Sequence, residues 1–520
     1  MTLNMTIGRG ASWGVRPTRA VRSGLTKLVA ALAVGMTIMP AMGAAPAAAG
    51  AYDPATDGYS MKAMTQNTGV TAFWDQGYTG AGIDVAVIDT GVAPVEGLAA
   101  PGKIIYGPDL SLESQSPSFA RLDTNGHGTF MAGLIAGKDS TLTAPYKNAP
   151  ASAYRGIAPD ARIVSIKVAT ADGGVDVTQM IAAINWVVDH KTDNGMNIRI
   201  LNLSYGTNST QPSLIDPLSF AVERAWKAGI VVVAAAGNSG YQRGADAPGL
   251  ANPAFNPSII AVGGYDTLGT ATASDDVIGA YSASSSNRTD RKPDVIAVGS
   301  RLQGLRVPNS FLDSRHPEGL LDSRFFRGSG TSQAAAVTSG TVALLLQKYP
   351  SMPPDQVKRF MRTTADQLAG VAVNTQGKGA IDFWSLANNA PNSIYKQYHQ
   401  PSTGTGSVDA ARGKDRLTLD GAVLTGEVDI FGQPFLPGTA GSTWSGGIWN
   451  GSTWSGASWS GSTWSGSTWS GASWSGASWS GASWSGSTWS GSTWSGSTWS
   501  GASWSGASWS GASWASGSWG

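Results

Sequence analysis

Asp84-Val85-Ala86-Val87-Ile88-Asp89 decides the fold. Its apolar run is β-branched and unbroken by polar alternation, which predicts a strand buried on both faces, as inside a parallel sheet. The same signal recurs at Ile163-Val164-Ser165-Ile166-Lys167-Val168, at 198–203 and at 230–236. Between these runs, Met180, Ile181, Ile184, Val187 and Val188 fall at helical spacing. So do Leu218, Ala221, Val222, Ala225 and Trp226, which follow the cap and first-turn pair Asp216-Pro217. Strands alternating with helices specify an α/β fold, a mainly parallel sheet with helices on both faces joined by right-handed crossovers. A further helix from Gly328 through Leu346 is Ala- and Leu-rich nearly all round and is expected to be buried. A shorter helix should follow it, with Ser351 as its cap and Val357, Phe360 and Met361 facing inward.

Composition narrows the partners. A formal net charge of +1 over 520 residues leaves no basic excess of the kind that phosphate backbones demand, so no nucleic-acid partner is expected. With no cysteine, disulfides, thiolate metal sites and a cysteine nucleophile are excluded. Arg9, Arg16, Arg19, Arg22 and Lys27 precede the apolar run 28–39 and the small residues Ala47-Ala48-Ala49. That pattern predicts a secretory signal peptide over 1–49, because about a dozen apolar residues are too few to span a bilayer.

Candidate chemistry collects at strand ends and helix starts. Asp89 closes the first strand, at the sheet edge where α/β sites are built; a turn-capping role is its structural alternative. His127 stands in Asp123-Thr124-Asn125-Gly126-His127-Gly128-Thr129, at the start of a helix and flanked by glycines that admit close approach. His190, His316 and His399 have no such setting and read as surface or satisfied residues. Asn238, in Ala236-Gly237-Asn238-Ser239-Gly240, offers a neutral amide donor. Ser332, in Gly328-Ser329-Gly330-Thr331-Ser332-Gln333, places a hydroxyl at the mouth of the buried helix. Alone it reads as a helix cap; with a base, an orienting acid and an oxyanion donor it reads as a nucleophile.

In this order, Val87-Ile88-Asp89-Thr90-Gly91, His127-Gly128-Thr129, Ala235-Ala236-Gly237-Asn238 and Gly330-Thr331-Ser332 resemble the motifs of subtilisin-like serine proteases. The resemblance covers roughly 73–389. It implies a serine endopeptidase whose catalytic residues are Asp89, His127 and Ser332, with Asn238 in the oxyanion hole and Ser204, Tyr205 and Gly206 binding an extended polypeptide substrate. No cofactor is required. Calcium stabilises many relatives, which leaves it open as a structural ion, but no Asp-rich loop here matches such a site, and no metal ligand is assigned. The chain departs from the usual family pattern at Phe130, Gln333 and Ala336, none of them a triad position. The stretch between 49 and 73 is too short for the family's usual inhibitory pro-domain.

From Gly441 the chain repeats Gly-Ser/Ala-Ser/Thr-Trp-Ser every five residues without any charge. That period matches neither helix nor strand, so the tail reads as a flexible spacer or as a solenoid with five-residue sides. Regular indoles could bind a cell envelope or drive self-association. The expected layout is a signal peptide over 1–49, a short lead-in over 50–72, the peptidase domain over 73–389, a linker or small extension over 390–440 and the repeat tail over 441–520. The product is expected to be secreted and retained at the cell surface if the tail binds there; the oligomeric state is left open. The rival reading is a catalytically silent envelope-binding or adhesive protein.

Overall fold

The computed structural model describes residues 52–435, except 116–118, 120, 243–248, 286–290, 392–393, 415, 420–421, 431 and 433, together with short strands between 448 and 505. The signal-peptide segment and most of the repeat tail lie outside the described residues.

The core is one sheet built on β1 (Asp84–Asp89), β2 (Ile104–Asp109), β3 (Arg162–Lys167), β4 (Ile198–Leu203), β5 (Val231–Ala235), β6 (Ile260–Asp266), β7 (Val277–Ile278) and β8 (Val295–Val298). Its order is β2-β3-β1-β4-β5-β6-β7, with β8 also on β6. Every pairing is parallel except β6 with β7. All six residues of β1 are buried, as an apolar strand covered on both faces requires. The connection leaving β1 runs to β2 on one side, and the connection leaving its neighbour β4 runs to β5 on the other, so the direction of winding reverses between β1 and β4. Crevices beyond the strand ends at such a reversal are where α/β proteins place ligands.

Four helices cover the sheet: α3 (His127–Ala136), α4 (Val177–Asp189), α5 (Pro217–Lys227) and α7 (Thr331–Lys348). Helices α3 and α7 pack against each other, α4 and α5 form a second pair, and α7 lies against β4, β5, β6 and β8. All of α7 from Thr331 to Leu346 is buried. Gly340 permits that approach, since a Cβ there would lie 2.6 Å from Ile157 Cβ. The smaller pieces are α1 (Met61–Asn67), α2 (Thr71–Asp75), α6 (Phe311–Arg315), α8 (Pro354–Thr364), α9 (Val373–Gln376), α10 (Phe383–Asn388) and α11 (Val408–Arg412). Two antiparallel strand pairs, β9 (Leu302–Leu305) with β10 (Phe325–Gly328) and β11 (Thr418–Leu419) with β12 (Ala422–Val423), complete the described domain.

Ser351 does not cap α8. That helix begins at Pro354 after an extended Pro353, with no side-chain cap; Pro354 has no N–H to satisfy, and the N–H groups of Gln356 and Val357 donate to Pro353 O at 3.0 and 3.1 Å. Residues before Phe73 join the core: Met61 and Met64 are buried, Met61 N–H donates to Gln303 Oε1 at 2.9 Å, and Asp57 pairs with Arg327 at 2.9 Å. At the other end Val408, Ala411, Ile430 and Phe435 are buried. In the tail, short strands pair in parallel as Trp459 with Trp479, Trp479 with Trp499, Trp474 with Trp494 and Trp484 with Trp504. No helix among the described residues is long and apolar enough to cross a membrane.

Candidate active site

The end of β1 delivers Asp89 into the crevice, and the first residue of α3 delivers His127 to it. Asp89 Oδ1 accepts from Thr90 N–H at 2.8 Å and lies 2.8 Å from His127 Nδ1. A carboxylate can only accept, so Nδ1 carries the proton and Nε2 is left as the basic nitrogen. The Asp89 side chain is 5% exposed and that of His127 27%, so the pair is shielded on the acid side and reachable on the imidazole side. Glycine makes the approach possible: a Cβ on Gly128 would fall 2.1 Å from Gly91 O, and Gly126, before the helix, has φ 102°.

A second carboxylate fixes the start of α3. Asp123, buried, accepts from Gly126 N–H at 2.7 Å, Thr129 N–H at 2.7 Å, Thr129 Oγ1 at 2.6 Å and Thr90 Oγ1 at 2.8 Å. Thr90 Oγ1 in turn accepts from Gly128 N–H at 2.9 Å. Lys167, at the end of β3, donates to Thr90 O at 3.0 Å and Leu122 O at 2.7 Å, tying the two loops behind Asp89. Burial opposes charge on His127, but the charge of Asp89, its hydrogen bond and the more distant Asp123 outweigh it and hold the imidazole pKa above its usual value. Asp89 Oδ2 is buried with no hydrogen-bond partner, so a proton on His127 is the compensation nearest to it.

Ser332 is the second residue of α7 and is 8% exposed. Asn238, in the loop after β5, turns its Oδ1 to Thr331, accepting from its N–H and its hydroxyl at 2.9 Å each. The amide orientation is thereby set, and Nδ2 is the face left to donate. Thr331 Oγ1 also accepts from Gly237 N–H at 3.1 Å, closing the loop against the helix. The β4–β5 ladder ends at Leu203 opposite Ala234, and 204–206 continue past it along the crevice. Ser204 Oγ reaches Ser332 O at 3.4 Å.

Two cavities open here and share Ser204 and Tyr205 as a common wall. One, of about 440 Å³, holds Ser332, Asn238 and Gly206; the other, of about 240 Å³, holds Asp89 and His127. The structure thus bonds Asp89 to His127 and sets Ser332, Asn238 and 204–206 around one adjoining space. It records no hydrogen bond between Ser332 and His127; such contacts are commonly long in a free enzyme and tighten with substrate. Among the described residues no three His, Cys, Asp or Glu side chains gather as a metal site. Sequence reading missed Asp123, although an acid three residues before a glycine-led helix start is a capping signal. It also missed the role of Thr331, which nothing local reveals.

An acid–imidazole pair, a helix-mouth hydroxyl and an aimed amide at the switch point of a parallel sheet define the class of α/β serine hydrolases. Residues 80–382, more than half of the chain, match the subtilase family, Peptidase_S8. The chain belongs to the subtilase family and is a serine-type endopeptidase acting on polypeptides. It is 34% identical over 346 residues to Serine protease AprX of Bacillus subtilis (strain 168), covering 66% of this chain and 71% of that one. Subtilisin DY of Bacillus licheniformis is 32% identical over 313 residues, 60% of this chain and 93% of that one. Minor extracellular protease Epr of Bacillus subtilis (strain 168) is 27% identical over 325 residues, 62% of this chain and 41% of that one.

Proposed function

We propose that Asp89, His127 and Ser332 are the catalytic triad of a secreted endopeptidase, with Asn238 and the Ser332 N–H as oxyanion donors. The carrying observation is the 2.8 Å contact of Asp89 with His127 Nδ1, which leaves Nε2 free to act as a base. Ser332 Oγ bonds to the scissile carbonyl carbon as Nε2 takes its proton, and the oxyanion forms against Asn238 Nδ2 and the helix mouth. Collapse expels the amine, which takes that proton from His127; water then attacks the acyl-enzyme by the same route and releases the acid. Ser204, Tyr205 and Gly206 would pair with the extended substrate as an added strand. No Asp, Glu, Lys, Arg or His lines the cavity beside Ser332 among the described residues, which suits an uncharged side chain before the scissile bond. Hydrolysis of an unfolded protein by the purified mature chain and by Ser332→Ala tests the reading. Wild-type cleavage lost in the variant supports it; equal cleavage by both overturns it.

Export rests on the signal pattern over 1–49, and it is supported by the likeness to Epr, an extracellular protease by name. Sequencing the exported protein from Gly50 would support cleavage after Ala49, and an uncut N-terminus would contradict it. For the tail, parallel pairing at 20-residue intervals (479 − 459, 494 − 474, 504 − 484) equals four repeats and favours five-residue solenoid sides over a structureless spacer. We assign to it retention at the cell envelope. Deleting 441–520 should move the protein from the cell fraction to the medium; unchanged partition refutes retention.

A further inference from the structure

The peptide crevice has two walls that come from different crossovers. One is the loop between β3 and α4, whose Ala169, Gly173 and Val175 line the cavity beside His127. The other is the segment after β4, whose Thr207, Asn208 and Ser209 line the cavity beside Ser332. A third stretch, 402–435, beyond the residues that match the subtilase family, is bonded to both.

On the second wall, Thr207 Oγ1 donates to Ala411 O at 2.6 Å and Lys414 N–H donates to Asn208 Oδ1 at 2.7 Å. Slightly further along, Ser407 N–H donates to Gln211 Oε1 at 2.8 Å and Gln211 Nε2 returns a bond to Ser407 O at 3.0 Å. On the first wall, Arg412 Nε donates to Asp176 Oδ2 at 2.6 Å, with both side chains 1% exposed. Asp176 directly follows the lining residue Val175 and caps α4 through Thr178 N–H at 2.9 Å. Leu417 reaches the same loop, its Cδ1 lying 3.2 Å from where a Gly174 Cβ would be. Two consecutive residues, Ala411 and Arg412, therefore each hold one of the two walls.

Arg412 cannot slip. Its Nη1 donates to Gly426 O at 2.7 Å and its Nη2 to Val428 O, so the guanidinium also pins the strap's return segment. A planar, always charged fork with its donors spent on a carboxylate and two carbonyls fixes distance and angle together, which a flexible ammonium does not. Neither wall contains Asp89, His127 or Ser332, so the strap can set the width of the crevice without touching the reacting groups.

We infer that the described residues of 402–435 form a strap that sets selectivity for extended peptides by fixing the separation of the two crevice walls, with Arg412 as its positioning residue. The inference rests on the endopeptidase reading of this crevice. It assigns to the strap the binding of residues several positions before the scissile bond, and not the chemical step.

The test compares Arg412→Met, Arg412→Lys and Leu417→Ala with wild type in the full mature chain. The substrates are a single-residue acyl ester, which fills only the space beside Ser332, and a peptide amide with four residues before the scissile bond. Arg412→Met should raise KM for the long peptide about tenfold with kcat and ester turnover unchanged; Arg412→Lys should recover part of that loss and Leu417→Ala should show about threefold. Leu417→Ala removes one side-chain contact and keeps the ion pair, so it reports on the wall if Arg412→Met does not fold. Equal losses on ester and peptide, or no change in Leu417→Ala and Arg412→Lys, overturn the strap. A wild-type protein that cleaves neither substrate would instead refute the endopeptidase reading.

Discussion

The helix mouths that carry His127 and Ser332 are built in opposite ways. At the start of α3 the N–H groups of Gly126, His127, Gly128 and Thr129 are taken by Asp123, Asn125, Thr90 and Asp123 in turn. At the start of α7, among the described residues, Thr331 N–H has a side-chain acceptor, Asn238 Oδ1, and no side-chain acceptor is recorded for the N–H of Ser332 or Gln333. A helix end left open is an anion site, because unpaired N–H groups and the helix dipole point the same way. On the proposed mechanism the closed mouth holds a base in place, and the open one is kept for charge that exists only during reaction. The same element, a buried helix start after a glycine, serves rigidity in one case and reactivity in the other.

Breaking the acid side should cost most. Asp89→Asn removes the acceptor that fixes the Nδ1–H tautomer and should lower kcat by about 10⁴, measured by steady-state hydrolysis of a peptide amide. On the open side, Asn238→Ala should lower kcat about 10²–10³ with KM little changed, a scale taken from the same amide in a subtilisin rather than calculated. Thr331→Val keeps the N–H but loses the hydroxyl that orients Asn238, and should cost about tenfold in kcat on the same assay. A Thr331→Val loss equal to that of Asn238→Ala would mean that the amide's orientation is everything; no loss would mean that the backbone N–H alone sets it.

At the closed mouth the expected damage is to stability first. Asp123→Ala strands four donors inside the protein, at about 1–3 kcal/mol for each one left unpaired, and should lower the denaturation midpoint far more than Asn238→Ala does. The smallest effect is on pH. His127 must be neutral to act as a base, and its pKa is held above the usual value, so the acid limb of kcat/KM should fall above about 6.5. In stability the sign is opposite: the raised pKa favours the fold below the unfolded value, and that contribution disappears as pH rises through the folded one. Asp123→Asn should move the limb downward by removing a lesser source of the shift.

Much of this was legible in the sequence because the signals are local. The apolar run of β1, the Asp216 cap of α5 and the all-round burial of α7 each follow from a few adjacent residues. The site residues also stand in short glycine-marked motifs. What could not be read depends on pairs far apart in the chain. Arg412 and Asp176 meet across 236 residues, and Met61 meets Gln303 across 242. A stretch such as 402–435 therefore looks like a linker by composition, while Val408 and Ala411 are buried by partners it does not announce. Ser351 misled for the converse reason: a good local cap signal was overridden by the Pro353-Pro354 pair that follows it.

The central claim is that Ser332 is activated by His127 at an open helix mouth. It is tested most directly by treating the mature protein with a phosphonate that reacts only with activated serines, then locating the adduct by peptide mass spectrometry. The account predicts one adduct, on Ser332, forming faster as pH rises through the His127 pKa and absent from Ser332→Ala. An unlabelled wild-type protein, or an adduct on another residue, would contradict it.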